Sequence, residues 1–136
     1  MQFATKIALV VRADLESWQK LNVTAFLASG IVGAGERLIG EPYRDADGRQ
    51  YLAMIIQPMI VLGADHASLH RARGRAISRG VPVAVYIEDM FATGHDAANR
   101  EVVSRYAGDA LPLVGIGMRA ERKVIDKITK GLRLLK

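Results

Sequence analysis

The chain has 136 residues, of which 50% are hydrophobic and 24% are charged, and these values predict one globular domain spanning residues 1–136. It has no cysteine, which excludes zinc–thiolate sites, iron–sulfur clusters and a cysteine nucleophile. Nineteen basic residues against 14 acidic ones give a net charge of +5, which favours anionic partners, and nucleic acid is the commonest of these.

The apolar runs of the sequence are short. The first, residues 7–11, is too short for the hydrophobic region of a secretion signal, and Arg12 and Asp14 follow it at once. No run of about 18 apolar residues occurs, so the sequence predicts no contact with a membrane. We therefore expect a cytoplasmic protein.

The N-terminal third predicts a strand, a helix and a hairpin. Residues 6–12 are typical of a buried strand, and residues 18–34 have the apolar spacing of a helix. Asp47-Gly48 between two strand-like runs, 38–43 and 50–57, predicts a hairpin turn. Pro58 should end the second run, and a further strand covers 59–62. The buried face of the helix is expected to include Leu21, Ala25, Ala28 and Val32, and Phe26 and Leu27 widen this apolar face.

The rest of the chain continues the alternation. Residues 65–79 predict a helix with Asp65 as N-cap and Gly80 as its left-handed stop. Its buried stripe is expected at Leu69, Ala72, Ala76 and Ile77.

Residues 81–87 are almost purely apolar, which predicts a central strand covered on both faces. Residues 96–106 predict a short helix, 111–116 a buried strand and 119–131 the last helix. Strands alternating with helices indicate an α/β domain in which helices cover a central sheet.

Two predicted strand ends are rich in polar residues, and ligands of open α/β sheets usually bind beyond such ends. Arg12 and Asp14 end the first strand and Lys20 follows. Glu88 and Asp89 end the 81–87 strand, and Thr93 and His95 follow. If these ends meet, Asp89 could act as a general base in a shared cleft. Lys20 could stabilise an oxyanion, and Thr93 could orient water or substrate.

Each of these residues also has a purely structural interpretation. Asp89 could simply cap the turn that follows its strand, and Lys20 could be a solvated helix residue. Arg71, Arg75 and Arg79 recur every four residues and form a basic stripe. Such a stripe could bind phosphates, or it could be a solvated face whose cations favour the helix C-terminus.

Several common sites are not indicated. His66 and His70 are spaced as a metal pair but lack a third ligand, so no metal is expected. Gly115-Ile116-Gly117 lacks the third glycine of a dinucleotide-binding turn and comes at the last strand. With no Gly-Lys-Ser/Thr loop and no Gly-x-Ser-x-Gly turn either, we expect no cofactor.

Three segments carry a family resemblance. Residues 6–15 read Lys-Ile-Ala-Leu-Val-Val-Arg-Ala-Asp-Leu, and residues 61–89 have a strand, a capped helix, a glycine and a strand ending in an acidic pair. Residues 113–117 read Leu-Val-Gly-Ile-Gly, with Val-Ile-Asp-Lys-Ile-Thr at 124–129. In these segments the chain resembles type II peptidyl-tRNA hydrolases, and it resembles an uncharacterised bacterial group with that fold more than the working enzymes.

The resemblance implies a three-layer α-β-α domain, with a central mixed sheet of about four strands and an added hairpin. It also implies a homodimer, for which the sequence itself offers only the apolar stretch 52–60. In the family a lysine, an aspartate and a threonine are linked to hydrolysis of the ester between peptide and transfer RNA. The resemblance assigns these roles to Lys20, Asp89 and Thr93. We further expect substrate binding by Arg12, Asp14, Asn22, Thr24 and Phe91.

Three functions remain open at this point, because a fold does not decide function. One is a hydrolase acting on an ester or amide, with transfer RNA among its partners. Another is a module that binds an apolar small ligand in a cleft reshaped by Phe26, Met90 and Phe91, since Phe91 replaces a family glycine. The third is a non-catalytic RNA binder that uses the arginine stripe.

Overall fold

A computed structural model describes residues 2–136 of the chain. The five-stranded main sheet has the order β5-β6-β1-β4-β7, and β2 and β3 form a separate two-stranded sheet. The elements follow one another as β1 Thr5–Arg12, α1 Ser17–Ala34, β2 Tyr43–Arg44, β3 Gln50–Tyr51, β4 Met59–Ala64, α2 His66–Ser78, β5 Ala84–Ile87, α3 Asp96–Ser104, β6 Leu113–Glu121, α4 Arg122–Ile128 and β7 Arg133–Leu134.

The main sheet is mixed, as expected for this α/β domain. β1 and β4 are parallel, whereas β1–β6, β5–β6 and β4–β7 are antiparallel pairs. The expectation of about four strands is wrong by one, because β7 pairs with β4 through Leu62 and Leu134. A strand of two residues has no periodicity that a sequence pattern could reveal.

Helices cover both faces of the sheet, so the domain has three layers. Along β1, Ile7, Leu9 and Val11 pack on the α1 side. Ala8 and Val10 belong to the core on the side of α2 and α4. This alternation follows from the two-residue period of a strand. All five side chains are at most 2% exposed, and burying one aliphatic side chain of this kind contributes about 1.5–3 kcal/mol.

The buried face of α1 matches the expected one at Leu27 and differs from it elsewhere. Val23, Leu27 and Ile31 contact the sheet, whereas Leu21 is 71% exposed and Ala25 is also exposed. Because α1 has apolar residues on several sides, spacing alone permits more than one buried stripe. One apolar stripe of α1 packs on the sheet, and a second stripe faces away from it.

β5 lies at the edge of the sheet and not at its centre, which corrects the prediction for residues 81–87. Both of its faces are nevertheless covered. Tyr86 packs into the core on the α1 side and Ile87 into the core beneath α2. An uninterrupted apolar run indicates that both faces of a strand are buried. It does not indicate where the strand lies in the order of the sheet.

The expected hairpin is present and projects as an arm, which we define as residues 38–57. Gly48 adopts the left-handed conformation that the turn requires, with φ of +86°. The strands are shorter than expected, since beyond β2 and β3 only Ile39 and Ile55 form a bridge. Every residue from 41 to 52 is exposed. The arm therefore packs little of its own length against the domain.

The C-terminal half largely follows the sequence patterns. Oδ1 of Asp65 accepts a hydrogen bond from the Ser68 amide over 2.8 Å, and Gly80 has φ of +68°, so both predicted ends of α2 are confirmed.

Two expectations for this half are wrong. Ile77 is expected in the core but is 52% exposed. β6 extends to Glu121 through pairing with Thr5 of β1, so α4 begins three residues later than predicted, at Arg122. Within residues 2–136, no helix combines the length and apolar character needed to cross a bilayer.

Candidate functional site

A cleft of about 750 Å³ opens beside the edge strand β5, between α1 and α3. Its α1 wall consists of Trp18, Asn22 and Phe26. These residues are spaced four apart, so they form one stripe along the helix. The stripe that packs on the sheet, Val23, Leu27 and Ile31, has the same spacing and is displaced around the helix axis.

Four aromatic rings form a continuous group at this cleft, and we call Trp18, Phe26, Tyr86 and Phe91 the aromatic quartet. The ring centroids of Trp18 and Phe91 are 5.7 Å apart, those of Phe91 and Tyr86 5.1 Å, and those of Tyr86 and Phe26 5.6 Å. The ring planes are tilted or perpendicular, which is the favourable arrangement for aromatic pairs. Trp18 is 56% and Phe26 48% exposed, although both are large apolar side chains.

The opposite side of the cleft is polar. The side chain of His95 caps α3 by accepting a hydrogen bond from the Ala98 amide at Nδ1 over 3.2 Å. The Thr93 hydroxyl lies 2.9 Å from the Met90 carbonyl oxygen and pairs with the Asn99 side chain. At the exposed rim, one turn of α3 carries an ion pair between Asp96 and Arg100.

A hydrogen-bonded pair connects the aromatic and polar features. The Asn22 side-chain amide contacts the Tyr86 hydroxyl over 3.2 Å, and both residues line the cleft. Burial raises the pKa of Tyr86 above its ordinary value of 10.0, and the hydrogen bond from Asn22 offsets part of this effect. The pair is therefore a neutral polar contact within the cleft.

The three residues expected to be catalytic have different surroundings. Thr93 lines the cleft, whereas Lys20 and Asp89 are not among its lining residues. The Lys20 ammonium donates a hydrogen bond to the Lys136 carbonyl oxygen over 3.0 Å, and Asp89 accepts one from the Tyr106 hydroxyl over 2.8 Å. The structure thus brings one of the three into the cleft.

The expected substrate-binding residues are divided in the same way. Asn22 and Phe91 line the cleft, while Arg12 and Asp14 line a separate hollow of about 350 Å³ beside Asp65. The Thr24 hydroxyl bonds the Leu21 carbonyl within α1 over 2.7 Å and is not part of the cleft lining.

Arg12 is held by two carboxylates beyond the end of β1. Its Nε and Nη2 donate to the two oxygens of Asp14 over 2.9 and 3.0 Å, and Nη1 lies 3.7 Å from Glu88. The hydrogen bond from Arg12 lowers the pKa of Asp14. With its donors engaged in this way, Arg12 ties the end of β1 to the start of the turn after β5.

The arginine stripe lies on α2 and partly bonds the protein itself. Arg71 donates to the Ser68 hydroxyl over 3.1 Å, and Arg79 donates to the Arg75 carbonyl over 3.1 Å. Arg75 reaches the Ile128 carbonyl of α4 over 3.4 Å. Two of the three guanidinium groups thus satisfy carbonyl groups near helix C-termini, which is the structural role considered above.

Sequence reasoning missed most of the polar wall and half of the aromatic quartet. The four-residue spacing of Trp18, Asn22 and Phe26 is the sequence signal that could have revealed a second stripe. No comparable signal marks Asn99 or Arg100, because α3 reaches the cleft only through tertiary packing.

The comparisons with known proteins assign no activity. No functionally curated protein matches the sequence significantly. The chain is similar to a solved structure of a protein of unknown function from Agrobacterium tumefaciens, with 51% identity and a TM-score of 0.96. The match covers 99% of this chain and 100% of that one. A family described as proteins of unknown function, DUF2000, matches residues 5–136, and the chain belongs to this family.

Proposed function

We propose that the protein binds a small, largely apolar ligand in the cleft between α1 and α3. The observation that carries this proposal is the aromatic quartet, two of whose rings are about half exposed at a cleft of about 750 Å³. Ligand sites usually have volumes of about 300–1,000 Å³ and combine apolar walls with a few polar groups. The cleft has both properties.

The energetics of α1 support a binding role for its second stripe. Leaving large apolar side chains in water forgoes about 1.5–3 kcal/mol for each that could be fully buried. Trp18 and Phe26 are only about half buried, so they lack part of this stabilisation, whereas Leu27 on the same helix is fully buried. A ligand that covers the two rings would recover that free energy, and this recovery is a direct source of affinity.

A thermal-shift screen against metabolites and nucleotides tests the proposal. A ligand present at 100 times its Kd stabilises the native state by about 2.7 kcal/mol, which raises the melting temperature measurably. We expect Phe91→Ala to abolish such shifts. Leu21→Ala is the matched control, because Leu21 is exposed on α1 and does not line the cleft. If no compound shifts the wild-type protein, or if Phe91→Ala behaves as wild type, the proposal is wrong.

Ester hydrolysis, with peptidyl-tRNA as a substrate, is the second candidate. It is favoured by Thr93 lying in the cleft, four residues after Asp89. Asp89 would have to exchange its bond with Tyr106 for a water molecule. Release of free transfer RNA from peptidyl-tRNA, with Asp89→Asn as control, tests this candidate. Turnover no higher than that of the control removes it.

A homodimer formed through the arm is proposed on separate grounds. Two-stranded hairpins are marginally stable alone in water, yet residues 41–52 form one without any buried residue. Exposed apolar patches of several hundred Å² usually mark interaction sites. The arm exposes Ile39, Tyr43, Tyr51, Leu52, Met54 and Ile56.

A further inference from the structure

We infer that the cleft selects planar, uncharged heteroaromatic ligands that carry a cyclic amide edge, with an N–H next to a C=O as in an oxopurine. The juxtaposition of the Asn22–Tyr86 pair with the aromatic quartet carries this inference. It rests on the proposed function and specifies its ligand class.

The aromatic quartet favours a flat ligand. Trp18 and Phe26 come from α1, while Tyr86 and Phe91 come from β5 and the turn after it, and the contacts between them make one continuous aromatic wall. Aromatic side chains bind flat rings through stacking and edge contacts, and stacking of a base on such a ring contributes about 1–3 kcal/mol. Flat ligands gain from several rings at once.

The Asn22–Tyr86 pair supplies one donor and one acceptor side by side. Within residues 2–136, the Asn22 side chain and the Tyr86 hydroxyl bond only each other. If the amide donates to the hydroxyl, the Asn22 carbonyl and the Tyr86 proton remain free. If the amide is flipped, the hydroxyl donates, and an amide N–H and a hydroxyl lone pair remain. Both orientations leave a donor next to an acceptor.

A cyclic amide complements this pair. Its N–H can donate to the free acceptor while its C=O accepts from the free donor. A ring that lacks both groups leaves the two protein groups unpaired once it has displaced water from them. Sites built to hydrogen-bond a ligand reject analogues without the matching group for this reason.

The charges around the cleft favour an uncharged ligand. Asp96 and Arg100 are the acidic and basic residues of the lining, and they pair with each other. The Tyr86 hydroxyl is neutral near pH 7, as the ordinary tyrosine pKa of 10.0 already ensures. A charged ring would lose its hydration without meeting an opposite charge that is free to pair.

A matched pair of purines tests the inference. Both are used as their 9-methyl derivatives, because a free N9–H beside N3 would give each bicycle a second donor–acceptor edge. Hypoxanthine has an N–H beside a C=O in its six-membered ring, and purine is the same bicycle without the oxygen. Trp18 is the single tryptophan of the chain, so its indole N–H gives one assignable signal in a ¹H–¹⁵N spectrum, and this signal reports directly on the cleft. We expect hypoxanthine to shift the signal at concentrations at least roughly tenfold lower than purine, as the loss of a paired polar edge implies.

Two variants remove the polar edge and keep the apolar walls. Tyr86→Phe keeps the ring and Asn22→Leu keeps the approximate volume, and an unchanged indole N–H line width would show that each variant folds normally. We expect each to bring hypoxanthine to the affinity of purine. Equal affinities of the two purines for the wild-type protein, or an unchanged preference in both variants, would overturn the inference.

The outcomes separate this inference from the proposed function. If neither purine moves the Trp18 signal while other compounds give shifts that depend on Phe91, the amide-edge inference is wrong and the ligand-binding function stands. If no compound acts through the cleft, both are wrong.

Discussion

The hydroxyl of Tyr106 donates a hydrogen bond to Oδ2 of Asp89 over 2.8 Å, which joins the chain just after α3 to the turn that follows β5. The segment between these residues contains Thr93, His95 and all of α3. α3 itself buries only Val102. The bond therefore holds the two ends of this segment together. The segment has few buried residues of its own, and it forms the polar wall of the cleft.

Tyr106→Phe should loosen α3 without unfolding the domain. Segments with few buried contacts open locally at low free energy, so loss of this bond should speed amide exchange across residues 96–104. The hydrogen bond from Tyr106 to Asp89 raises the pKa of Tyr106 above its ordinary value of 10.0. Its stabilisation is thus complete below pH 10.0 and is lost as the pH rises through the raised pKa. Hydrogen-exchange mass spectrometry at pH 7 and stability measurements up to pH 11 check both statements.

Tyr51→Phe is a matched control for this prediction. Tyr51 donates a hydrogen bond to Asp45 over 2.8 Å in the arm, and this bond likewise raises the pKa of Tyr51. Its removal should leave exchange in α3 unchanged. Equal exchange of α3 in wild type and Tyr106→Phe would show that the bond does not secure this wall.

The two stripes of α1 should respond differently to truncation. Leu27 is 1% exposed beneath the helix, so Leu27→Ala should lower the free energy of unfolding by about 2–5 kcal/mol. Leu21 is 71% exposed, and Leu21→Ala should change that free energy by less than about 0.5 kcal/mol. Urea denaturation followed by circular dichroism measures both. If Leu21→Ala lowered the free energy of unfolding more than Leu27→Ala, the buried face expected from the sequence would be the correct one.

Gly115 permits the close approach of α1 to β6. A Cβ atom at this position would lie 2.5 Å from Cγ1 of Val23 and 3.0 Å from Cδ1 of Leu27. Gly115→Ala should therefore force α1 outward and lower the free energy of unfolding by about 1–3 kcal/mol. Gly33, near the end of α1, has no atom within 4 Å of such a Cβ, so Gly33→Ala should raise stability by about 0.5–1 kcal/mol. Both changes appear in the midpoint of urea denaturation, and a neutral Gly115→Ala would contradict the packing argument.

The glycines of β6 show what a sequence pattern can reveal. Gly115 and Gly117 both approach Leu27 of α1, so the motif that suggested a family resemblance is a packing feature of the scaffold. Local patterns with a fixed geometric cause, such as the Asp65 cap and the Gly48 turn, could be predicted. The edge position of β5 could not be predicted. Burial of its two faces depends on packing against helices, whereas its place in the sheet depends on backbone pairing with other strands.

The same distinction explains the partial prediction of the cleft. Asn22, Thr93 and Phe91 follow strand ends or lie early in α1, where position in the fold follows from local order along the chain. Lys20 is close to them in sequence but bonds Lys136, which only tertiary structure brings near. Both stripes of α1 have the same four-residue spacing, so spacing alone cannot distinguish the stripe that faces the cleft from the stripe that packs on the sheet.

The arm supplies the last prediction, which concerns assembly. Leu52, directly after β3, is 87% exposed. The charges of the arm are nearly balanced, with Arg44 and Arg49 against Glu41, Asp45 and Asp47. A surface that is apolar and nearly neutral can pair with its own copy about a two-fold axis without like-charge repulsion. Leu52→Asp would place two carboxylates in such a contact and should convert a dimer into a monomer in light scattering at micromolar concentration. Leu134→Asp, at a residue 66% exposed in β7 and outside the arm, should leave the mass unchanged. A monomeric wild-type protein, or a dimer that survives Leu52→Asp, would show that the arm does not join two copies.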